Sequence, residues 1–151
     1  MLRMSKLTDY GTMVLAQLSV SDRGWTTASQ VAGATHLGQP TVSKLLKALV
    51  HAGLVTSTRG VQGGYALARP AATISAAEIL DALEGPVAIT ECSSSTGGCE
   101  LESFCRVGTA WQRINHSIRR ALESVSLADL QERREPLPHL RTDLRTAALA
   151  R

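Results

Sequence analysis

The amino-acid sequence predicts a mainly α fold: a winged helix-turn-helix domain with a small β-hairpin wing, followed by a long C-terminal helix. Three observations support this. Two short apolar stripes at helical spacing are joined by a turn that contains glycine. A glycine-rich basic segment then separates two β-prone segments, and a long one-sided apolar stripe follows in the second half. The length of 151 residues fits one compact domain with a helical extension.

The apolar spacing predicts three helices in the first third of the chain, over residues 8–20, 27–34 and 39–52. The second begins at Thr27, which forms a capping-box pattern with Gln30. Pro40 suits the first turn of the third helix, where its missing N–H has no consequence. The turn at residues 35–38 contains a glycine near its end, so the last two helices match a helix-turn-helix.

A β-hairpin wing is predicted directly after these helices. Residues 54–58 and 65–68 are β-prone, and the basic segment Arg59-Gly60-Val61-Gln62-Gly63-Gly64 lies between them. Glycines at such a tip let the backbone approach a phosphate or a groove closely. A helical pair alone is common, but a pair followed at once by such a wing is much more specific to DNA-binding proteins.

The charge of the chain is divided unevenly. Residues 1–70 have seven Lys and Arg against two acids, and residues 71–151 have nine Arg against eleven acids, so the halves carry +5 and −2 within the total of +3. A basic first half indicates a polyanionic partner for that half, and with the wing it predicts binding to double-stranded DNA. The expected contacts are base edges for Gln39, Thr41 and Ser43, phosphates for Lys44 and Lys47, and the minor groove and backbone for the wing residues Arg59 and Gly63.

All three cysteines lie within fourteen residues, as Cys92, Cys99 and Cys105, in a loop rich in Ser and Gly. An odd number of cysteines in a chain without a secretion signal argues against a disulfide framework. Thiolates are soft ligands for zinc or for an iron–sulfur cluster. The C-x6-C-x5-C spacing differs from the C-x2-C of zinc ribbons and suits a bulkier inorganic core. Three thiolates leave one coordination position to be filled.

A long helix is predicted after the cysteine loop, with an apolar stripe formed by Val107, Trp111, Ile114, Ile118, Leu122 and Val125. In so small a protein this stripe predicts a dimerisation helix, and a reader of palindromic DNA needs a two-fold partner. A capping box at Ser75 starts a short helix over residues 75–84. The expected division is a winged helix-turn-helix DNA-binding domain at 1–84, a cysteine-rich loop at 85–105, the dimerisation helix and its end at 106–130, and a mobile tail without an assigned role at 131–151.

Taken together, these motifs resemble the IscR/NsrR-type ("Rrf-two") transcriptional regulators from Met1 to about Leu130. The resemblance rests on the wing stretch Gly53-Leu54-Val55…Arg59-Gly60…Gly63-Gly64-Tyr65, the helix from Ile74 to Glu84 and the three-cysteine loop. The first ten residues and the stretch Leu83-Glu84-Gly85-Pro86…Thr90-Glu91-Cys92 are similar to one branch, the regulators of the SUF iron–sulfur assembly operon. The resemblance implies a dimer whose cysteines hold an iron–sulfur cluster, with cluster occupancy controlling DNA binding.

The fourth ligand is where the sequence departs from this pattern. The IscR branch has a histidine three residues after the third cysteine, but this chain has Gly108. In the NsrR branch an N-terminal aspartate of the partner subunit fills the position that Asp9 occupies here. Asp9 is therefore one candidate, although an acid there also suits a helix N-terminus. The other candidates are Glu100, Glu102 and His116, whereas His36, His51 and His139 are expected to be ordinary turn or surface residues.

The leading hypothesis is therefore a cytoplasmic, homodimeric, cluster-sensing repressor of SUF genes, with [2Fe–2S] and [4Fe–4S] both open. One alternative is a regulator in which nitric oxide or oxidation acts on the same cysteines. Another, of a different class, is a zinc-stabilised interaction module. No motif places a base beside a nucleophile, so an enzyme or a small-molecule substrate is not expected. The longest apolar runs are too short to span a membrane, and the N-terminus lacks a signal-peptide core.

Overall fold

A computed structural model describes residues 4–21, 24–60, 62–93, 99 and 105–132, with the backbone alone at Cys92. Six helices and one hairpin lie within these ranges: α1 Lys6–Ser19, α2 Ala28–Thr35, α3 Gln39–His51, β1 Val55–Thr58, β2 Gly64–Leu67, α4 Ala76–Leu83, α5 Gly108–Glu123 and α6 Leu127–Gln131. Short 3₁₀ turns lie at Ala71–Thr73 and Glu91–Ser93. This mainly helical architecture with a two-stranded wing confirms the predicted fold class.

Helices α1, α2 and α3 pack on one another around an aliphatic core, in keeping with a sequence that has only five aromatic residues. The side chains of Leu15, Leu45 and Leu46 are fully buried there. The predicted capping box of α2 is present, with Thr27 accepting from the backbone of Gln30 and the Gln30 side chain accepting in return. The helix starts and ends lie within two residues of those predicted, because caps and apolar spacing are local signals.

The wing is an antiparallel hairpin in which Val55 pairs with Leu67 and Thr58 pairs with Gly64. A third segment joins it: the N–H of Thr26 donates to Tyr65 at 3.0 Å, and Tyr65 donates back at 2.9 Å. These two bonds link the start of α2 to the returning strand of the wing. The wing is therefore fixed to the helix-turn-helix through its second strand.

The second half differs from prediction at the end of the long helix, whose apolar stripe was expected to run to Val125. The structure ends α5 at Glu123, and Ser126 starts α6 with a capping box that includes Asp129. Leu127 is fully buried in the core of the winged-helix body, and its N–H donates to Ile74 at 2.7 Å. The stretch after Glu123 therefore belongs to the body, because α5 ends before Val125 and Leu127 is buried in the core.

Helix α4 packs against α1 through a close contact between Leu83 and Gly11. A Cβ at Gly11 would overlap the Leu83 side chain, so the glycine allows the two helices to approach. Residues 133–151 of the predicted tail lie outside the described residues. No helix in the described ranges is long and apolar enough to cross a membrane.

Candidate functional site

The outward face of α3 carries the residues predicted to contact DNA. Four aliphatic side chains of this helix are buried in the core, which turns the opposite face to solvent. Lys44 and Lys47 are exposed one turn apart on that face, and Gln39 is exposed at its start, whereas Thr41 and Ser43 are half-buried. No side chain caps the N-terminus of α3. Free backbone N–H groups at such an end favour an anion.

His51 extends the same face by one more turn beyond Lys47. It is exposed at the last residue of α3. Its exposure agrees with the surface residue that the sequence predicts, and its spacing of four and seven residues from the two lysines places it on their face. The basic face of α3 consists of these three residues.

The wing tip brings Arg59 and Gly63 together, as the sequence predicted. Arg59 is exposed directly after β1. Gly63 has a structural reason to be glycine, because a Cβ there would overlap the carbonyl oxygen of Thr58 and lie 2.8 Å from the carbonyl carbon of Arg59. Its N–H donates to Gly60 at 3.0 Å and closes the tip. Gly63 therefore shapes the loop that presents Arg59.

The cysteine segment, which we define as residues 85–107, connects α4 to α5. Cys99 and Cys105 are half-buried free thiols, and Cys92 lies in the 3₁₀ turn at Glu91–Ser93. Cys105 stands just before α5, where a Cβ built on Gly108 would lie 3.6 Å from its sulfur. Glu100 and Glu102 lie outside the described residues. Among the residues that the structure does describe, no three His, Cys, Asp or Glu side chains come together as a metal site.

The remaining ligand candidates form no metal-binding group of three or more with the described cysteines. Gly108 offers no donor atom. His116 lies eight residues further along α5, which places it about 12 Å away along the helix axis. Asp9 is exposed in the first turn of α1, where it lines a groove with Met13, His36 and residues of α6. Neither candidate is grouped with the described cysteines inside one subunit.

Polar side chains hold the segment that leads to Cys92. The Asn115 amide on α5 donates to the carbonyl of Val87 at 3.1 Å and accepts from the N–H of Ile89 at 3.2 Å. Arg119, one turn further, makes a two-point ion pair with Asp81 of α4 at 2.8 and 3.2 Å. These contacts dock α5 on α4 and fix the backbone between them. Local sequence patterns do not predict these contacts, because they join residues 26 to 38 positions apart.

Glu84 ends α4 and contacts the start of α1. Its carboxylate accepts hydrogen bonds from the hydroxyl of Thr8 and from the N–H of Ser5 at 3.0 Å. These bonds stabilise the charged form, so the pKa of Glu84 lies below its ordinary value. Ser5 also caps α1 by accepting from the N–H of Leu7.

Helix α5 exposes much of its predicted apolar stripe. Trp111 is 42% and Ile114 is 44% exposed, whereas Ile118 and Leu122 line a cavity beneath the helix, against α4. Gly108 is the one buried residue of α5. The side of the helix with Asn115 faces the body, so a large part of the stripe lies uncovered in the single subunit.

Comparison with known proteins identifies similar chains. Residues 4–133 match the family described as "Rrf2: Iron-dependent Transcriptional regulator". The structure resembles CymR, the global cysteine regulator of B. subtilis, at 31% identity and a TM-score of 0.68, over 86% of this chain and 96% of that one. It also resembles T. potens IscR, at 29% identity and a TM-score of 0.62, over 92% and 96% of the two chains. Staphylococcus aureus CymR matches at 28% identity and a TM-score of 0.60, over 87% and 100%.

Proposed function

Since the chain belongs to the Rrf2 family of transcriptional regulators, we propose that it is a homodimer whose operator binding depends on an iron–sulfur cluster held by Cys92, Cys99 and Cys105. It is a DNA-binding regulator and not an enzyme. The finer proposal is supported chiefly by one observation. The cysteine segment connects the body that carries the basic face of α3 to the helix that carries the uncovered apolar stripe.

DNA binding would use α3 and the wing together. Lys44 and Lys47 are exposed on one face and suit phosphates, while the first turn of α3 brings Gln39, Thr41 and Ser43 towards base edges. Arg59 would reach the minor groove from the wing tip that Gly63 shapes. The bonds between Thr26 and Tyr65 keep the wing in a constant position relative to the helix-turn-helix.

The donor set fits an iron–sulfur cluster. Cys99 and Cys105 are free thiols that are partly open to solvent, and thiolates are the usual ligands of such clusters. A bound cluster would supply iron–thiolate bonds that restrain the cysteine segment relative to α5. Asp9 is the proposed fourth ligand, from the partner subunit, because it is exposed on α1 and occupies the position of the aspartate ligand in the NsrR branch that the sequence resembles. Both nuclearities remain compatible with this donor set.

The regulated genes are proposed from the resemblance to the SUF branch, with the protein acting as a repressor of iron–sulfur assembly. Loss of the cluster would then loosen the cysteine segment and change the spacing of the two recognition helices. Order and disorder of a segment are a known means of switching a protein between two states. Loss of the cluster can change DNA affinity only as far as the two states of the protein differ in their affinity for DNA.

Anaerobic purification with absorbance spectroscopy and iron and sulfide analysis tests the cluster. We expect a coloured protein with bound iron and sulfide, and near-complete loss of both in Cys105→Ala. Asp9→Ala should retain less iron than the wild type, while Glu91→Gln, which changes an exposed acid of the cysteine segment, should retain the wild-type amount. Stoichiometric zinc without iron or sulfide would contradict the proposal and favour a zinc-stabilised module.

Thiol oxidation or nitric oxide is the second candidate input, favoured by the half-buried free thiols of Cys99 and Cys105. One of the similar structures is that of Staphylococcus aureus CymR in an oxidised form, at 26% identity. Release of DNA should be compared after iron chelation, peroxide and nitric oxide. Release by peroxide from metal-free protein, with no response to chelation, would favour direct thiol chemistry.

A further inference from the structure

The carboxylate of Glu84 connects two parts of the chain that are far apart in sequence. Its donors, the N–H of Ser5 and the hydroxyl of Thr8, lie 79 and 76 residues away. Thr8 is only 2% exposed, whereas Glu84 is on the surface. A negative charge at this place also lies beside the amino-terminal end of α1, where it is favourable.

The residues that follow Glu84 are held by polar contacts rather than by close packing. We call residues 85–90 the root of the cysteine segment. Residues 85–89 line a cavity of about 410 Å³ between α4 and α5. The Asn115 amide fixes the backbone on the other side of this cavity through Val87 and Ile89. These hydrogen bonds therefore restrain the backbone of the root relative to α5.

The other side of the Glu84 contact is the first turn of α1. Ser5 caps this turn, and the N–H of Asp9 donates to the carbonyl of Ser5 at 3.3 Å. Helix α1 in turn packs on α2 and α3, which form the helix-turn-helix. A displacement of Glu84 would therefore act first on the turn that carries Asp9, and then on the DNA-reading helices.

We propose that Glu84 is a positioning residue that couples the root of the cysteine segment to the first turn of α1 through Ser5 and Thr8. The inference rests on the proposed function, because the signal that Glu84 transmits is the state of the three cysteines. The contact itself, however, is made only by residues of this chain outside the three cysteines. It can therefore be tested independently of the cluster.

The test variant is Thr8→Val, which removes the hydroxyl and nearly preserves the side-chain shape. The Glu84 carboxylate that loses its donor is exposed and can bind water instead, so no buried polar group is left unpaired. Thr12→Val is the matched control, because its hydroxyl donates within α1 to the carbonyl of Thr8 at 2.9 Å. Glu84→Gln is a second variant, which keeps an acceptor oxygen and removes only the charge.

Hydrogen exchange of metal-free protein is the first measurement. We expect exchange of the amides at residues 85–90 to be about five-fold faster in Thr8→Val than in the wild type, and less than two-fold faster in Thr12→Val. Glu84→Gln should lie between the two. Equal exchange at residues 85–90 in Thr8→Val and Thr12→Val, with normal helicity in both, would overturn the proposal.

The second measurement follows anaerobic reconstitution with iron and sulfide. In the wild type we expect slower exchange both in the root and in the first turn of α1. In Thr8→Val the slowing should remain in the root and disappear from α1. If the slowing in α1 persists in Thr8→Val but is lost in Asp9→Ala, the signal passes through Asp9 and the role of Glu84 is wrong. If no iron binds, the proposed function fails while the metal-free result still stands.

Discussion

A charge placed in the apolar stripe of α5 should separate the two subunits. Ile114 lies on the uncovered side of this helix and is 44% exposed in the single subunit. We therefore expect Ile114→Asp to convert a dimer into a monomer without unfolding the winged-helix body, whose core lies elsewhere. The substitution tests whether a second copy of the chain covers this surface.

The magnitude follows from the exposed fraction of Ile114. Full burial of an isoleucine side chain contributes about 2–3 kcal/mol, so covering its exposed part contributes about 1 kcal/mol per subunit. A two-fold interface contains Ile114 of both subunits, so the substitution removes about 2 kcal/mol from the dimer. This loss raises the dissociation constant of the dimer about thirty-fold. Desolvation of two carboxylates adds to the loss, so we expect an increase of at least about 100-fold for Ile114→Asp.

Sedimentation equilibrium over a range of protein concentrations measures this constant. The matched control is His116→Asp, which places the same charge on the opposite, polar face of α5, where His116 is exposed. The dissociation constant of His116→Asp should equal that of the wild type. An unchanged dissociation constant in Ile114→Asp, or an equal change in both variants, would refute the assignment of this stripe to the subunit interface.

Three further predictions concern packing, DNA and pH. Gly11→Ala should lower the free energy of unfolding by about 1–3 kcal/mol, because its Cβ would overlap Leu83. Gly33 is exposed on α2 with open space around it, so Gly33→Ala should raise the free energy of unfolding by about 0.5–1 kcal/mol. Urea titration measures both changes. Lys44→Ala or Lys47→Ala should weaken binding to every duplex and reduce the slope of log affinity against log salt by about 1, whereas Lys6→Ala should not. Hydrogen bonds from Thr8 and Ser5 lower the pKa of Glu84 from 4.5. The ionised carboxylate therefore stabilises the fold fully above pH 4.5, and this stabilisation is lost as the pH falls through the pKa of the folded state. Melting temperatures of Glu84→Gln should therefore fall less steeply than those of the wild type below pH 4.5, with parallel curves above about pH 6.

Local signals in the sequence predicted most of the fold. Capping residues such as Thr27 and Ser75, and apolar residues three or four positions apart, determined helix starts and buried faces. The break before α6 was also visible, since Ser126 and Asp129 form a capping box. It was missed because the apolar stripe continued in register to Val125, and only the tertiary structure shows that Leu127 packs on the body rather than on α5.

The contacts around the cysteine segment could not be predicted in the same way. Glu84, Thr8 and Asn115 are ordinary residues in their local sequence, and their partners are set by the packing of α1, α4 and α5. The arrangement of donors around a cluster also depends on residues from different segments, and on a second subunit if Asp9 takes part. Residue type and spacing therefore indicate the chemistry of the site. Its coupling to the DNA-binding helices can be inferred only from contacts in the three-dimensional structure.

The central claim is that the state of Cys92, Cys99 and Cys105 controls operator binding. The most direct test is DNA affinity under anaerobic conditions, measured on one preparation before and after removal of iron, with a duplex selected from a random library. We expect at least about a ten-fold difference in affinity between the two forms, equivalent to about 1.4 kcal/mol of coupling, and we expect Cys105→Ala to abolish it. Lys44→Ala should weaken both forms equally and preserve the ratio. Equal affinity of iron-loaded and iron-free protein for the selected duplex would contradict the account.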